Sequence, residues 1–260
     1  MKPLPIAIAA ALLMAAALWY FTRPKAIQEQ SIEETPVQVD RLGPEGVNLD
    51  AASEPITASA HEPSASLPDL EESDPWLSKA RLEISGHPYW SRVLEMDGVV
   101  RRLVNAVDRI AQDGNPYGQV AALRPPGTFT PDGKQEAHLG PANHARYQAL
   151  ITAIESADAA SAARLYRVVE PWFQQAWLEL GQEQASWAET LDLALQKLID
   201  TPLPLEPPLL QASGSVWMFQ EPSLEALPSA QKALIRMGNR QAGVVIAKLK
   251  EFRAALKQLR

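Results

Sequence analysis

Along residues 97–112, Val99, Val100, Leu103, Val104, Val107, Ile110 and Ala111 fall on one face at 100° per residue. Arg101, Arg102, Asn105, Asp108, Arg109 and Gln112 take the other face, which predicts an amphipathic helix capped by Asp97. Related signals run on either side. Ser73-Asp74-Pro75-Trp76 sets an oxygen-bearing cap ahead of a first-turn proline, and Gly86-His87-Pro88 ends that helix near Ser85. Pro141 opens a helix to about Glu155, and Asp158 caps a longer one. The long helix has an apolar face of Leu165, Tyr166, Val169, Trp172, Phe173, Ala176, Trp177 and Leu180, and Gly181 ends it. Pro171 inside it removes a backbone bond and crowds the Arg167 carbonyl, so a kink or break is expected there. Ser186 and Glu189 have capping-box spacing before a helix to about Asp200. Two helices close the chain, over residues 228–237 and 240–259, with Gly238 ending the first and Asn239 capping the second.

The helical period fails in two places. Residues 113–140 carry turn chemistry at Asn115-Pro116, Arg124-Pro125-Pro126-Gly127 and Pro131-Asp132-Gly133, with Phe129 and Leu139 placed to flank a small hairpin about Asp132-Gly133. Residues 202–215 are a proline-rich connection, too proline-dense for a sheet interior, followed by a short extended piece at 216–219. The fold class expected is mainly α: an irregular helical bundle with at most one small β-hairpin.

Ahead of this body stand two segments of different character. Pro3 to Phe21 is uncharged and rich in Ala, Leu, Ile and Met, with Lys2 before it and Trp19, Tyr20, Arg23 and Lys25 at its far end. At ~1.5 Å per residue it makes a rod of roughly 28 Å, which matches a bilayer core of ~30 Å. Its aromatic residues suit the membrane interface. Residues 1–25 are therefore expected to be a single transmembrane anchor. A cleaved signal peptide is the competing reading, with Ala15-Ala16-Ala17 as its small-residue site. Residues 26–73 are rich in Glu, Asp, Ser, Ala and Pro and show no apolar period, the pattern of a disordered acidic linker with an r.m.s. span of about 40 Å. Residues 74–260 are left as the helical domain.

Charge is distributed unevenly. The chain carries −7, yet residues 26–75 hold twelve acidic residues against Arg41 alone. Lys232, Arg236, Arg240, Lys248, Lys250, Arg253, Lys257 and Arg260 face only Glu251 in the last thirty residues. With no cysteine, neither disulfides nor thiolate metal sites contribute. Zinc-peptidase, nucleophile-elbow and dinucleotide-glycine motifs are absent, and no cofactor is indicated. His138, His144 and Glu136 lack a third ligand at metal-binding spacing, and Glu170 and Glu179 read as solvated rather than catalytic. The candidate binding residues, for protein or lipid, are Trp187 and Trp217, which are less clearly on a core face, and Lys248, Lys250, Arg253, Lys257 and Arg260.

Several short runs carry a family likeness: Asp74-Pro75-Trp76, Leu123-Arg124-Pro125-Pro126, Asn143-His144-Ala145-Arg146-Tyr147 and the helix around Leu165-Tyr166. So do Phe219-Gln220-Glu221-Pro222-Ser223-Leu224-Glu225-Ala226-Leu227 and Gln231-Lys232 through Leu234-Ile235-Arg236-Met237-Gly238. Together, over roughly residues 70–258, they resemble the bacterial domain of unknown function 3014, with His144 and Gln220 departing from the pattern. The resemblance implies a membrane-tethered bacterial protein and lends no catalytic residue. The expectation is a non-enzymatic interaction module at the inner membrane, its C-terminal domain in the periplasm and a protein partner in the envelope. Nucleic acid is not expected as a partner. The rival expectations are an envelope hydrolase acting on cell-wall or lipid material and an electrostatic binder of anionic lipid through the C-terminal helix.

Overall fold

The computed structural model describes residues 67–259, apart from 81–84, 86, 95, 120–124, 134–136, 183, 184 and 215. The segments expected to be an anchor and, almost entirely, an acidic linker lie outside these residues, as does Arg260. Among the described residues no helix is long and apolar enough to cross a membrane. The protein is mainly helical, with ten helices and one two-stranded antiparallel hairpin among the described residues.

The folded body begins before Asp74. Leu70 is buried within a 3-10 turn, Leu70–Glu72, and the Pro68 carbonyl accepts the indole N–H of Trp172 at 2.7 Å. Thus the last residues of the expected linker belong to the core. Helix α1 (Ser73–Ala80) and the short α2 (Tyr89–Leu94) lead to α3 (Val99–Ala111). Asp97 does not cap α3. Gly98 takes that position at φ 66, and the free amides of Gly98 and Val99 donate to the Asp74 carboxylate at 2.5 and 3.0 Å. The cap comes from another helix, so one carboxylate both ends the amide ladder of α3 and joins α3 to α1. Asp74→Ala is expected to cost about 1–2 kcal/mol, read as a lower denaturation midpoint with an unchanged slope.

After the irregular stretch come α4 (Pro141–Ala145) and α5 (Gln148–Glu155), separated at Arg146-Tyr147 where one helix was expected. The break lets Tyr147 bury completely. Helix α6 (Ala159–Glu179) is capped by Asp158, which accepts from the Ser161 amide at 2.7 Å. It runs through Pro171 without the expected break, and Pro171 lies on its exposed face. Helix α7 (Trp187–Ile199) follows; the Ser186 side chain makes no capping bond.

Strands β1 (Leu210–Ser213) and β2 (Val216–Phe219) pair antiparallel, Leu210 opposite Phe219. The chain then forms α8 (Pro222–Glu225), α9 (Ser229–Met237) and α10 (Asn239–Gln258). Helix α3 packs on α6 and α7, while α10 packs on α5, α6, α7 and α9. The apolar faces of these helices form the main core. A second, smaller core joins Ala137, Leu139, Leu210, Phe219, Leu224 and Ile235 under the hairpin. The expected turn about Asp132-Gly133 is present as an isolated bridge, Asp132 to His138, and the extended hairpin lies at β1–β2 instead.

Candidate functional site

Three motifs far apart in sequence meet where the two cores join. Asn143 of α4 is 1% exposed, and its amide donates to the Arg236 carbonyl at 2.9 Å. Its oxygen accepts from Arg146 at 3.0 Å, and Arg146 also donates to the Pro126 and Gly127 carbonyls. A buried amide with both ends bonded fixes α4 against the end of α9. Tyr117 ties the stretch after α3 into the same place, donating to the Ser229 carbonyl at 2.8 Å.

On the hairpin side, Arg236 donates to the Trp217 carbonyl at 2.8 Å and lies 5.0 Å from the Phe219 ring centroid. Glu225 accepts from the Phe219 amide at 2.8 Å and from Lys232 at 2.7 Å. The Trp217 carbonyl and Phe219 amide lie on the edge of β2 that faces away from β1, since the neighbouring residues form the ladder. Charged side chains from α8 and α9 thus occupy the edge that would otherwise recruit another strand. On the opposite edge, the Leu210 amide donates to the Ala137 carbonyl at 2.7 Å.

Burial sets the electrostatics. The Tyr147 phenol is pushed up to about 12 by desolvation and stays protonated. Burial also lowers the Arg236 and Arg146 guanidinium values, and both remain cations at neutral pH. His144 is lowered from 6.5 by desolvation, and its Nε2 is buried without a bond against Gly238. The unfolded chain therefore takes up a proton near pH 6.5 while the folded chain resists it. Stability should decline as pH falls from 6.5 toward the folded-state value, and a His144→Asn melting series should lose that component.

The second locus is the junction of α6, α7 and α10. Trp187 does not face a partner: it is 3% exposed, stacks on Phe173 at 5.6 Å and donates its indole N–H to the Tyr166 hydroxyl at 2.8 Å. Tyr166 in turn donates to Glu170, which pairs with Arg167 at 2.8 Å. Glu179 pairs with Arg101, so the two carboxylates weighed in sequence serve separate structural contacts. Arg253 bonds Asp192 twice at 2.6 Å and also reaches Gln196. Beside it, a notch lined by Tyr166, Arg167, Asp192, Arg253 and Lys257 encloses about 20 Å³, room for one or two waters.

Trp217 is half-buried on the smaller core. Lys248 pairs with Glu251 at 2.9 Å, Lys250 and Lys257 are exposed, and Arg260 is outside the described residues. Folding therefore gives carboxylate partners to Lys232, Lys248 and Arg253, and the run of positive charge read along the C-terminus does not form one continuous patch. Among the described residues no group of three or more His, Asp or Glu is placed to hold a metal. The Asn143–Arg236–Glu225 junction has no signature in the sequence beyond the short family-like runs in which each residue stands.

A mainly helical domain built on α3, α6, α7 and α10, with a hairpin locked on by a buried arginine, defines the class. The chain belongs to the family described as Protein of unknown function (DUF3014), whose model matches residues 99–253. That span contains all three motifs of the junction. No curated protein and no solved structure matches the chain.

Proposed function

We propose that this protein is a non-enzymatic interaction module of the bacterial cell envelope. In this reading a single N-terminal helix holds it at the inner membrane, and the helical body stands in the periplasm and binds another protein. The observation that supports the reading is what the polar residues of the junction do. Asn143, Arg146, Arg236 and Glu225 bond the backbone of neighbouring elements and hold two cores in one shape. Side chains committed to backbone carbonyls and amides preserve a surface, whereas a catalytic group must be held ready for a substrate atom. The lipid alternative is less well supported. Among the described residues, Arg240, Lys250 and Lys257 are the exposed cations of α10, and Lys248 and Arg253 are drawn onto carboxylates rather than left for a clustered patch of the kind that marks anionic-lipid binding.

The test is crosslinking in intact cells followed by purification of the full chain from membranes. Enrichment of one defined protein supports the reading. Recovery of the chain as a lone monomer, its release by low-salt washing, or a cytosolic reporter fused after the C-terminus would overturn it.

A further inference from the structure

Residues 202–208 join α7 to β1 and read Pro-Leu-Pro-Leu-Glu-Pro-Pro. Leu205 alone among them is neither a proline nor placed before one, so every other position in the run has a restricted backbone. The chain bends at Leu205-Glu206. Both ends of the run are fixed to the body. Thr201 is buried and donates to the Leu198 carbonyl at 2.7 Å, and Leu203 packs against the main and the smaller core. The Pro204 carbonyl accepts from the Asn239 side chain at the start of α10, and Leu210 is buried beyond the run. At the bend, Leu205 is 98% exposed, where the next most exposed large apolar side chain among the described residues, Leu178, reaches 61%. Pro202, Glu206 and Pro207 are exposed beside it.

A leucine held wholly in water adds nothing to the core, and its stiff, anchored neighbours keep it from folding back onto the surface. The same stiffness favours binding, because a side chain already presented in one place gives up little freedom when it docks. We propose that Leu205 is a preset anchor that seats in an apolar pocket of the partner protein, with Glu206 set against a basic side chain at the edge of that pocket. The inference rests on the protein-binding reading and names its contact. Two other occupants fit less well. Anionic lipid headgroups repel Glu206. A second copy of this chain would have to supply the socket, and the notch beside Arg253 has room for one or two waters, not for an isobutyl group.

The test uses the full chain in intact cells, with a photo-crosslinking benzoylphenylalanine in place of Leu205 or, as a control, of Leu193, the half-exposed leucine on α7. Position 205 should give one protein adduct that position 193 does not. Peptide mapping should place that adduct at an apolar pocket bordered by lysine or arginine. Binding is then measured between the purified chain and the protein so found. Leu205→Ser should weaken it roughly tenfold or more, and Glu206→Lys should weaken it as well. Both variants should keep the urea midpoint of the parent, since neither side chain is packed. Support requires the adduct and the loss of affinity together. An adduct to lipid or to another copy of the chain overturns the inference, as does unchanged affinity in Leu205→Ser. If chemical crosslinking of the parent still captures a partner while position 205 yields no adduct, the inference falls alone. If neither route captures a protein, it falls together with the reading on which it rests.

Discussion

Trp187→Ala is expected to lower folding stability by about 3–5 kcal/mol, equivalent to a fall of roughly 10 °C in melting temperature. The ring is 3% exposed, stacked on Phe173 with 15° between planes, and tilted against Trp177 at 5.8 Å. Removing it opens a cavity among rigid aromatic neighbours that cannot collapse inward, where the measured cost of truncation is highest. It also deprives the Tyr166 hydroxyl of its donor. Trp187→Phe keeps much of the stacking and loses that bond, so about 1–2 kcal/mol is expected. Urea titrations of the three chains give the ranking. A binding role for the indole predicts a different outcome: Trp187→Phe would lose the crosslinked partner while its denaturation curve stayed close to that of the parent.

This residue shows what pattern reading can and cannot reach. Helical period and caps place α3, α6, α7, α9 and α10 to within a residue or two, because burial of one stripe is a local property of sequence. Trp187 stands at the first position of α7, with one turn or less of period to classify it, and its burial is decided by Phe173 on another helix. The cap on α3 escapes the same logic. Asp97 stands next to Gly98 in sequence, yet Asp74 holds the amides from twenty-four residues away. Strand β1 is hidden for a further reason: Pro202, Pro204, Pro207 and Pro208 crowd the approach to it, while its own residues contain none.

The site was legible as motifs and not as geometry. Asn143, Glu225 and Arg236 each read as an ordinary polar residue near a helix end. Only the fold shows that ninety-three residues of separation close to a 2.9 Å bond between Asn143 and the Arg236 carbonyl. The C-terminal charge shows the same limit in the opposite sense. Cations adjacent in sequence look like a patch, but Arg253 turns onto Asp192 of α7 and Lys232 onto Glu225 of α8. Net charge along a helix is a local sum, and a surface is a sum over neighbours.

Gly238→Ala is expected to be as damaging as loss of a core aromatic side chain, at about 3 kcal/mol or more, for two separable reasons. Gly238 is the sole residue between α9 and α10, and it turns the chain with φ 93 and ψ 151, a conformation nearly confined to glycine that costs a side chain about 1–3 kcal/mol. A methyl group there would also stand 2.6 Å from Nε2 of His144, inside contact distance. Yielding is difficult for His144, because α4 is pinned through Asn143 to the carbonyl of Arg236, two residues before Gly238. The components separate in a double-mutant cycle. In Gly238→Ala with His144→Ala the clash disappears and the backbone strain stays, so the second substitution should restore about half of the lost stability. A strictly additive cycle would place the whole effect in the backbone and show that His144 moves aside freely. Positive coupling of about 1 kcal/mol or more would show that the turn between the last two helices and the buried motif of α4 are packed as one unit.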